Sequence, residues 1–267
     1  MRPLNRTTRP ARRDDPGGTE RASSVPEAAT TRDLVAVAVP VALAVGAYGL
    51  SYGVLAVAAG LSPAVATLSS LIVLAGGSQF AFVGVLALGG NPFAGAVSGL
   101  LLNVRYVAFG LAIARALPGG SIGRRAMDSY LIVDESVALA LGKAGPAPRD
   151  PAARQRWSGE VVRRFRVVGW SVVSAWILTT AAGAYGGQLI ADPAALGLDA
   201  AFPAGFLALL APWLRTPRGR AAAAIGVVLA LGLTPVAPPG VPIIAASLGG
   251  IVALWLPVRS ERGGTAT

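Results

Sequence analysis

Residues 34–59 read LVAVAVPVALAVGAYGLSYGVLAVAA, a run that contains no Asp, Glu, Lys or Arg. A helix needs about 20 predominantly apolar residues to cross a bilayer. Within the bilayer every backbone N–H and C=O group must be paired inside the protein, so a long apolar run is expected to form a helix. This stretch decides the fold class, and we predict an all-α, polytopic transmembrane helix bundle.

The same pattern recurs along the chain. Only 13% of its 267 residues are charged, whereas a soluble domain carries about a quarter. Because several of the apolar stretches are shorter than a straight span, we predict six to eight spans, some of them discontinuous or re-entrant. Besides 34–59, the apolar stretches are 65–89, 93–116, 127–142, 167–190, 202–214, 221–236 and 241–258.

The distribution of charge predicts the organisation and the orientation. Residues 1–33 mix Arg, Pro, Gly, Ser and acids, which is typical of a disordered tail. We expect a transmembrane domain over 34–258 and a second tail over 259–267. Lys and Arg gather in both tails and in the connections 143–166 and 215–220, and the connections 191–201 and 236–242 have none. The positive-inside rule then predicts that both termini are cytoplasmic.

One basic connection conflicts with a topology in which every apolar stretch crosses the membrane. Arg115, Arg124 and Arg125 would lie outside if all eight stretches crossed the membrane. The conflict disappears if the 65–89 and 127–142 stretches are broken or re-entrant. Gly76-Gly77-Ser78 interrupts the first of these, and the second is short and acidic. We therefore predict discontinuous segments at both places.

Composition excludes several functions. The absence of Cys and His excludes disulfides, thiolate chemistry, imidazole bases and the common zinc sites. The single lysine, Lys143, follows no Gly-rich phosphate loop, so the chain is not an ATPase by itself. We expect no enzyme activity, no metal and no cofactor. The net charge of +10 comes from Arg between apolar runs, so a lipid bilayer is the expected partner rather than nucleic acid.

A few charged residues lie inside apolar stretches. A charge near the bilayer centre costs about 2.5–3.5 kcal/mol on an insertion scale, so Arg105 is expected to face the bundle interior with a partner. Neighbouring helical residues point about 100° apart, so one of Asp134 and Glu135 can pair with Arg105 while the other lines a cavity. The alternative is a buried ion pair that only orders helices.

Uncharged polar residues complete the candidate set. Ser78 and Gln79 follow two glycines, where a broken helix would expose N–H groups able to hold a carboxylate. Close packing of small residues is the alternative there. Asn103 can bond a neighbouring helix. Trp176 lies deep in its stretch, where it either lines a pathway or packs against helices or lipid.

These polar residues stand in four short passages: Leu74–Ala81, Asn103–Gly110, Val133–Ser136 and Ser174–Gly183. In this order they resemble the AzlC family of branched-chain amino-acid permeases, over about residues 34–258. Two positions depart from the family pattern. Tyr106 replaces the usual His after Arg105, so at neutral pH it can supply only a hydrogen bond, and Val133 replaces the usual Thr.

The resemblance implies a permease domain that exports leucine, isoleucine and valine across the cytoplasmic membrane. It further implies proton coupling and a small AzlD-type membrane partner. Arg105 and the Gly77–Gln79 break could then hold the substrate carboxylate, and Asp134 or Glu135 could hold its ammonium group or the coupled proton. The alternative is a non-transporting assembly or sensor subunit in which the Arg–acid pair holds a partner helix. The candidate translocation residues are Ser78, Gln79, Asn103, Arg105, Tyr106, Asp134, Glu135 and Trp176.

Overall fold

The fold is helical throughout the part of the chain that the structure describes. A computed structural model describes residues 29–189, 197, 200, 207, 210, 211 and 213–255, and contains no strand there. The predicted all-α membrane fold is confirmed. The helices are α1 (Thr31–Ala58), α2 (Pro63–Ile72), α3 (Gly76–Ala87), α4 (Pro92–Asn103), α5 (Arg105–Ala114), α6 (Ile122–Tyr130), α7 (Asp134–Gly142), α8 (Pro151–Gly186), α9 (Pro217–Leu233) and α10 (Val241–Trp255).

Several predicted segments lie outside the described residues. They are residues 1–28 of the N-terminal tail, the C-terminal tail 259–267 and most of the 202–214 stretch. The first helix begins at Thr31, inside the predicted tail 1–33, because its start is capped. The Thr30 hydroxyl accepts from the Asp33 N–H at 3.2 Å, and the Asp33 carboxylate accepts from the Thr30 N–H at 2.9 Å.

Among the described residues, three segments are long and apolar enough to cross a membrane: Thr31–Ala58, Pro92–Ala114 and Pro151–Leu189. The shorter apolar helices include α2, α3 and residues 241–252 of α10. The predicted count of six to eight spans stays a prediction, because the short helices do not fix how many crossings the chain makes.

Helix α8 is longer than the sequence predicts. Residues 151–166 are charged and were expected to be part of a connection, yet they continue the apolar helix without a break. At about 1.5 Å per residue α8 is about 54 Å long, whereas the hydrocarbon core is about 30 Å thick. The helix starts at Pro151 because the Asp150 carboxylate caps it, accepting from the Ala153 N–H at 2.7 Å. Its charged half buries Trp157, Val161 and Phe165 against the rest of the protein.

Helices α1 and α8 cross at backbone contact. A methyl group at Gly53 would lie 2.3 Å from the Thr180 carbonyl oxygen, and one at Gly183 would lie 2.1 Å from the Leu50 carbonyl oxygen. Real Cβ atoms do not approach backbone so closely, so only glycine fits at either place. Small residues of this kind let membrane helices approach closely and gain van der Waals contact.

The predicted interruption of the 65–89 stretch is confirmed. The helix ends at Ile72 and resumes at Gly76, and Leu74 between them has φ 42°, which is costly for a residue with a side chain. The 127–142 stretch is also broken, since α6 ends at Tyr130 and α7 begins at Asp134. A milder distortion separates α4 from α5, where the Val104 N–H bonds to Leu101 and the Val107 N–H bonds to Val104. Such i→i+3 bonds tighten the helix locally.

Helices α9 and α10 form a hairpin beside α4. A methyl group at Gly249 of α10 would lie 2.8 Å from the Gly226 nitrogen of α9, so this pair also packs backbone to backbone. Gly240, at the turn between them, lies against Ala94 of α4. The hairpin carries none of the candidate residues.

We expect Gly183→Ala to destabilise the protein by about 1–3 kcal/mol, since the methyl group must force α1 and α8 apart. For a protein of this size the unfolding temperature in detergent falls by roughly 2–4 °C per kcal/mol. Gly186→Ala is the matched control, because a methyl group there meets nothing within 4 Å. Equal unfolding temperatures for the two variants would show that the helices do not cross at Gly183.

Candidate functional site

Gln79 lies at the centre of a buried hydrogen-bond network. It is on the first turn of α3, only 3% exposed. Its side-chain amide donates to the hydroxyls of Ser69 and Ser70, each at 3.1 Å, and its carbonyl oxygen accepts from the Trp176 indole N–H at 3.1 Å. The network extends to Tyr52 through Ser69 at 2.7 Å. These bonds satisfy the amide and tie α3 to α1, α2 and α8.

Aromatic rings cover this network. The Trp176 ring stacks on the Tyr52 ring with centroids 5.8 Å apart, and Phe80 meets both rings edge to face. A methyl group at Gly76 would lie 2.9 Å from the Trp176 ring, so glycine lets the indole lie directly on the start of α3. Trp176 is therefore packed and hydrogen-bonded inside the bundle, not exposed to lipid.

Ser78 stabilises the break itself. Its hydroxyl donates to the carbonyl of Ala75, the residue just before α3, at 2.9 Å. The side chain is buried. On the other side of the same turn, Gly99 of α4 comes so close that a methyl group would lie 3.0 Å from the Ser78 carbonyl oxygen. The start of α3 and the middle of α4 are thus in direct contact.

Arg105 forms the expected ion pair, and Asp134 is its partner. The Arg105 Nη2 and Asp134 Oδ2 atoms are 3.0 Å apart, and both side chains are partly buried. Arg105 begins α5 and Asp134 begins α7, so the pair joins two interrupted helices at their starts. The guanidinium also lies 5.3 Å from the centre of the Tyr106 ring, a cation–π distance. Tyr106 in turn packs edge to face on Phe109.

Two buried polar atoms beside this pair have no hydrogen-bond partner in the described part of the chain. They are Arg105 Nε, a donor, and Asn103 Oδ1, an acceptor. A buried polar atom left unpaired costs about 1–3 kcal/mol, so such atoms point to a ligand or to water.

Asn103 is on α4, the helix that contacts the start of α3. Asn103 follows Gly99 by four residues, so both lie on one face of α4, and Gly99 touches Ser78. Helix α3 has no side-chain cap.

Glu135 is the second acid of the motif. It follows Asp134 on the first turn of α7 and is half-buried. Among the described residues it takes part in no ion pair. The break before α7 is closed by Ser136, whose hydroxyl donates to the Leu131 carbonyl at 2.6 Å and accepts from the Val133 N–H at 3.1 Å. Both acids thus stand at the positive end of a short helix, which favours negative charge.

The structure adds residues that the sequence did not single out. Tyr52, Ser69, Ser70 and Thr180 all belong to the Gln79 network, with Ser70 donating to Thr180 at 3.1 Å. Ser69-Ser70 is a polar pair inside an apolar stretch, the same signal that marked Gln79. The third acid, Asp128, accepts two hydrogen bonds from Arg166, at 2.8 and 2.9 Å, so it is bound apart from Arg105.

These features define an integral helical membrane protein whose polar residues gather where its helices are interrupted. A family model described as AzlC protein matches residues 40–190, and the chain belongs to the AzlC family. It is similar to the inner membrane protein YgaZ of Escherichia coli (strain K12), with 27% identity over 177 residues, 64% of this chain and 68% of the relative. No solved structure matches. The chain is thus a membrane transport-related protein, and its relative and apolar helices support an inner-membrane location.

We expect Trp176→Phe to destabilise the protein by about 1–3 kcal/mol, because it removes the indole N–H and leaves the buried Gln79 carbonyl oxygen unpaired. The measurement is thermal unfolding in detergent, followed by circular dichroism. Trp170→Phe is the control, since Trp170 lies on the same helix and is 45% exposed. If both variants unfold at the same temperature, the bond to Gln79 does not stabilise the fold.

Proposed function

We propose that this chain is the larger subunit of a secondary transporter that exports leucine, isoleucine and valine across the inner membrane. The unpaired Arg105 Nε and Asn103 Oδ1 atoms carry the proposal, because they are a buried donor and a buried acceptor at the junction of α4 and α5. An amino-acid zwitterion has the complementary groups, a carboxylate and an ammonium. The choice of branched-chain side chains rests on the family resemblance.

The carboxylate would bind at Arg105. Its guanidinium uses Nη2 for Asp134 and keeps Nε free. Guanidinium–carboxylate bonds are charge-assisted and roughly twice as strong as neutral ones. We further propose the N–H groups at the start of α3, which has no side-chain cap, as carboxylate donors, because half-helix starts hold substrate carboxylates in other transporters.

The ammonium group would bind at Asn103 Oδ1 and the acids of α7. Asn103 lies two residues before Arg105, at the junction of α4 and α5, and its oxygen has no donor. Asp134 is already held by Arg105, so Glu135 is the acid left to carry a coupled proton. Tyr106 cannot replace a histidine in that role, because a phenol does not titrate near neutral pH. The proton pathway therefore has to involve a carboxyl group.

A small AzlD-type membrane subunit is the proposed partner. The alternative is that the chain is a non-transporting assembly or sensor subunit, in which the Arg–acid pair holds a partner helix. Removal of either residue does not show whether the pair binds substrate or only orders the helices of a transporter. A swap of the two charges does, because it keeps the pair and moves the guanidinium.

We expect Arg105→Ala and Asp134→Asn to abolish leucine efflux from cells loaded with a leucine-containing dipeptide. Each change removes a group that contacts or orients the substrate, and we expect at least about a hundredfold loss, the equivalent of about 2.7 kcal/mol. Arg124→Ala is the control, since Arg124 is exposed on α6. Abundance is measured by immunoblot for every variant.

The double variant Arg105→Asp/Asp134→Arg separates the two roles. If the pair binds substrate, the swapped protein should reach the abundance of the wild type but export no leucine. The reason is that the cation no longer lies at the junction of α4 and α5. Full efflux by the swapped protein would assign the pair a structural role only.

We expect purified protein in liposomes to export leucine only when the small subunit is present, with a rate that depends on the proton gradient. Glu135→Gln should remove that dependence, since the amide cannot carry a proton. Absence of transport with and without the small subunit would support the assembly or sensor role instead.

A further inference from the structure

A basic cavity of about 530 Å³ opens at the far end of the bundle from the Gln79 network. The end of α5, the connection before α8 and the first turns of α8 form its walls, and its lining includes Arg115, Pro118, Arg149, Arg154, Ser158 and Val162. Its lining holds three arginines and no acid. We propose that this cavity binds a phosphate group, either of an anionic phospholipid or of a soluble phosphate.

The walls of the cavity are held in place by hydrogen bonds. The Ser158 hydroxyl donates to the Ala116 carbonyl, which fastens α8 to the end of α5. The Trp157 indole N–H donates to the carbonyls of Ala144 and Gly145 at 3.1 and 3.2 Å, which fastens the connection. The Arg154 Nε donates to the Pro148 carbonyl at 3.0 Å. These hydrogen bonds join the end of α5, α8 and the connection before α8, and these elements carry the three arginines.

The arginines of the cavity differ from the three ion-paired arginines of the described bundle. Arg105, Arg164 and Arg166 each pair with a carboxylate. The described residues supply no ion pair to Arg115, Arg149 or Arg154. The nearest acid along the chain, Asp150, is engaged in capping α8. Three like charges around one opening repel one another, and a bound anion removes that repulsion.

The chemistry and the depth both favour phosphate. A planar guanidinium can donate two parallel hydrogen bonds to two oxygens of one phosphate group. Arg115 directly follows α5, at the end of the apolar segment Pro92–Ala114, so the cavity lies near the level of lipid headgroups. Basic pockets at this level bind anionic headgroups. Pro118 and Val162 provide apolar surface beside the charges, which suits the glycerol part of a lipid.

The test compares two triple variants with the same loss of charge. Arg115→Ala/Arg149→Ala/Arg154→Ala empties the cavity of cations, and Arg124→Ala/Arg125→Ala/Arg156→Ala removes three exposed arginines outside its lining. Each protein is placed in nanodiscs of phosphatidylcholine, with or without phosphatidylglycerol. A further arm adds inorganic phosphate to phosphatidylcholine nanodiscs, against chloride at equal ionic strength. Unfolding temperature and lipid retention by native mass spectrometry are measured.

The expected result is that one phosphate source raises the unfolding temperature of the wild type and of the control triple. The cavity triple should bind that source about a hundredfold more weakly. A response to phosphatidylglycerol alone assigns a lipid headgroup, and a response to inorganic phosphate alone assigns a soluble ligand. No response to either source, or equal loss in both triples, overturns the proposal. If the cavity triple does not fold, Arg149→Gln in the exposed connection replaces it.

Discussion

The crossing of α1 and α8 is the contact on which the other features depend. Gly53 and Gly183 bring the two backbones together, and this places Trp176 of α8 beside Tyr52 of α1 at 5.8 Å. From there the indole reaches Gln79 and covers the start of α3. Further along α8, Arg166 binds Asp128 and Gly169 lies against Leu131. One long helix therefore fixes both broken segments relative to α1.

The breaks themselves explain why the polar residues lie where they do. In a bilayer an interrupted helix must have its freed backbone groups satisfied within the protein. Ser78 bonds the carbonyl before α3, and Ser136 bonds the groups before α7. The N–H groups at a helix start favour anionic partners. Asp134 stands at such a start, on α7, and meets Arg105 at the distorted junction of α4 and α5.

Much of the fold was predictable, because the length of an apolar stretch and the position of its glycines determine locally where a helix forms and where it breaks. The broken 65–89 stretch and an Arg105–acid pair both followed from the sequence. Three features did not. The choice of Asp134 over Glu135 depends on the direction of α7 after its break. Ser69 meets Tyr52 and Ser70 meets Thr180 only through long-range packing. The charged half of α8 looked like a connection, although Trp157, Val161 and Phe165 give it a buried face.

The charge balance of the site bears on what it can carry. Arg105 and Asp134 neutralise each other, yet Arg105 Nε and Asn103 Oδ1 remain unpaired. In the proposed transporter a zwitterion would pair with both atoms and add no net charge, so binding would leave the charge of the site unchanged. A substrate with a net charge would bear a desolvation cost of several kcal/mol that the paired residues cannot offset. Under the proposed function, the ion pair favours a zwitterionic amino acid over a substrate with a net charge.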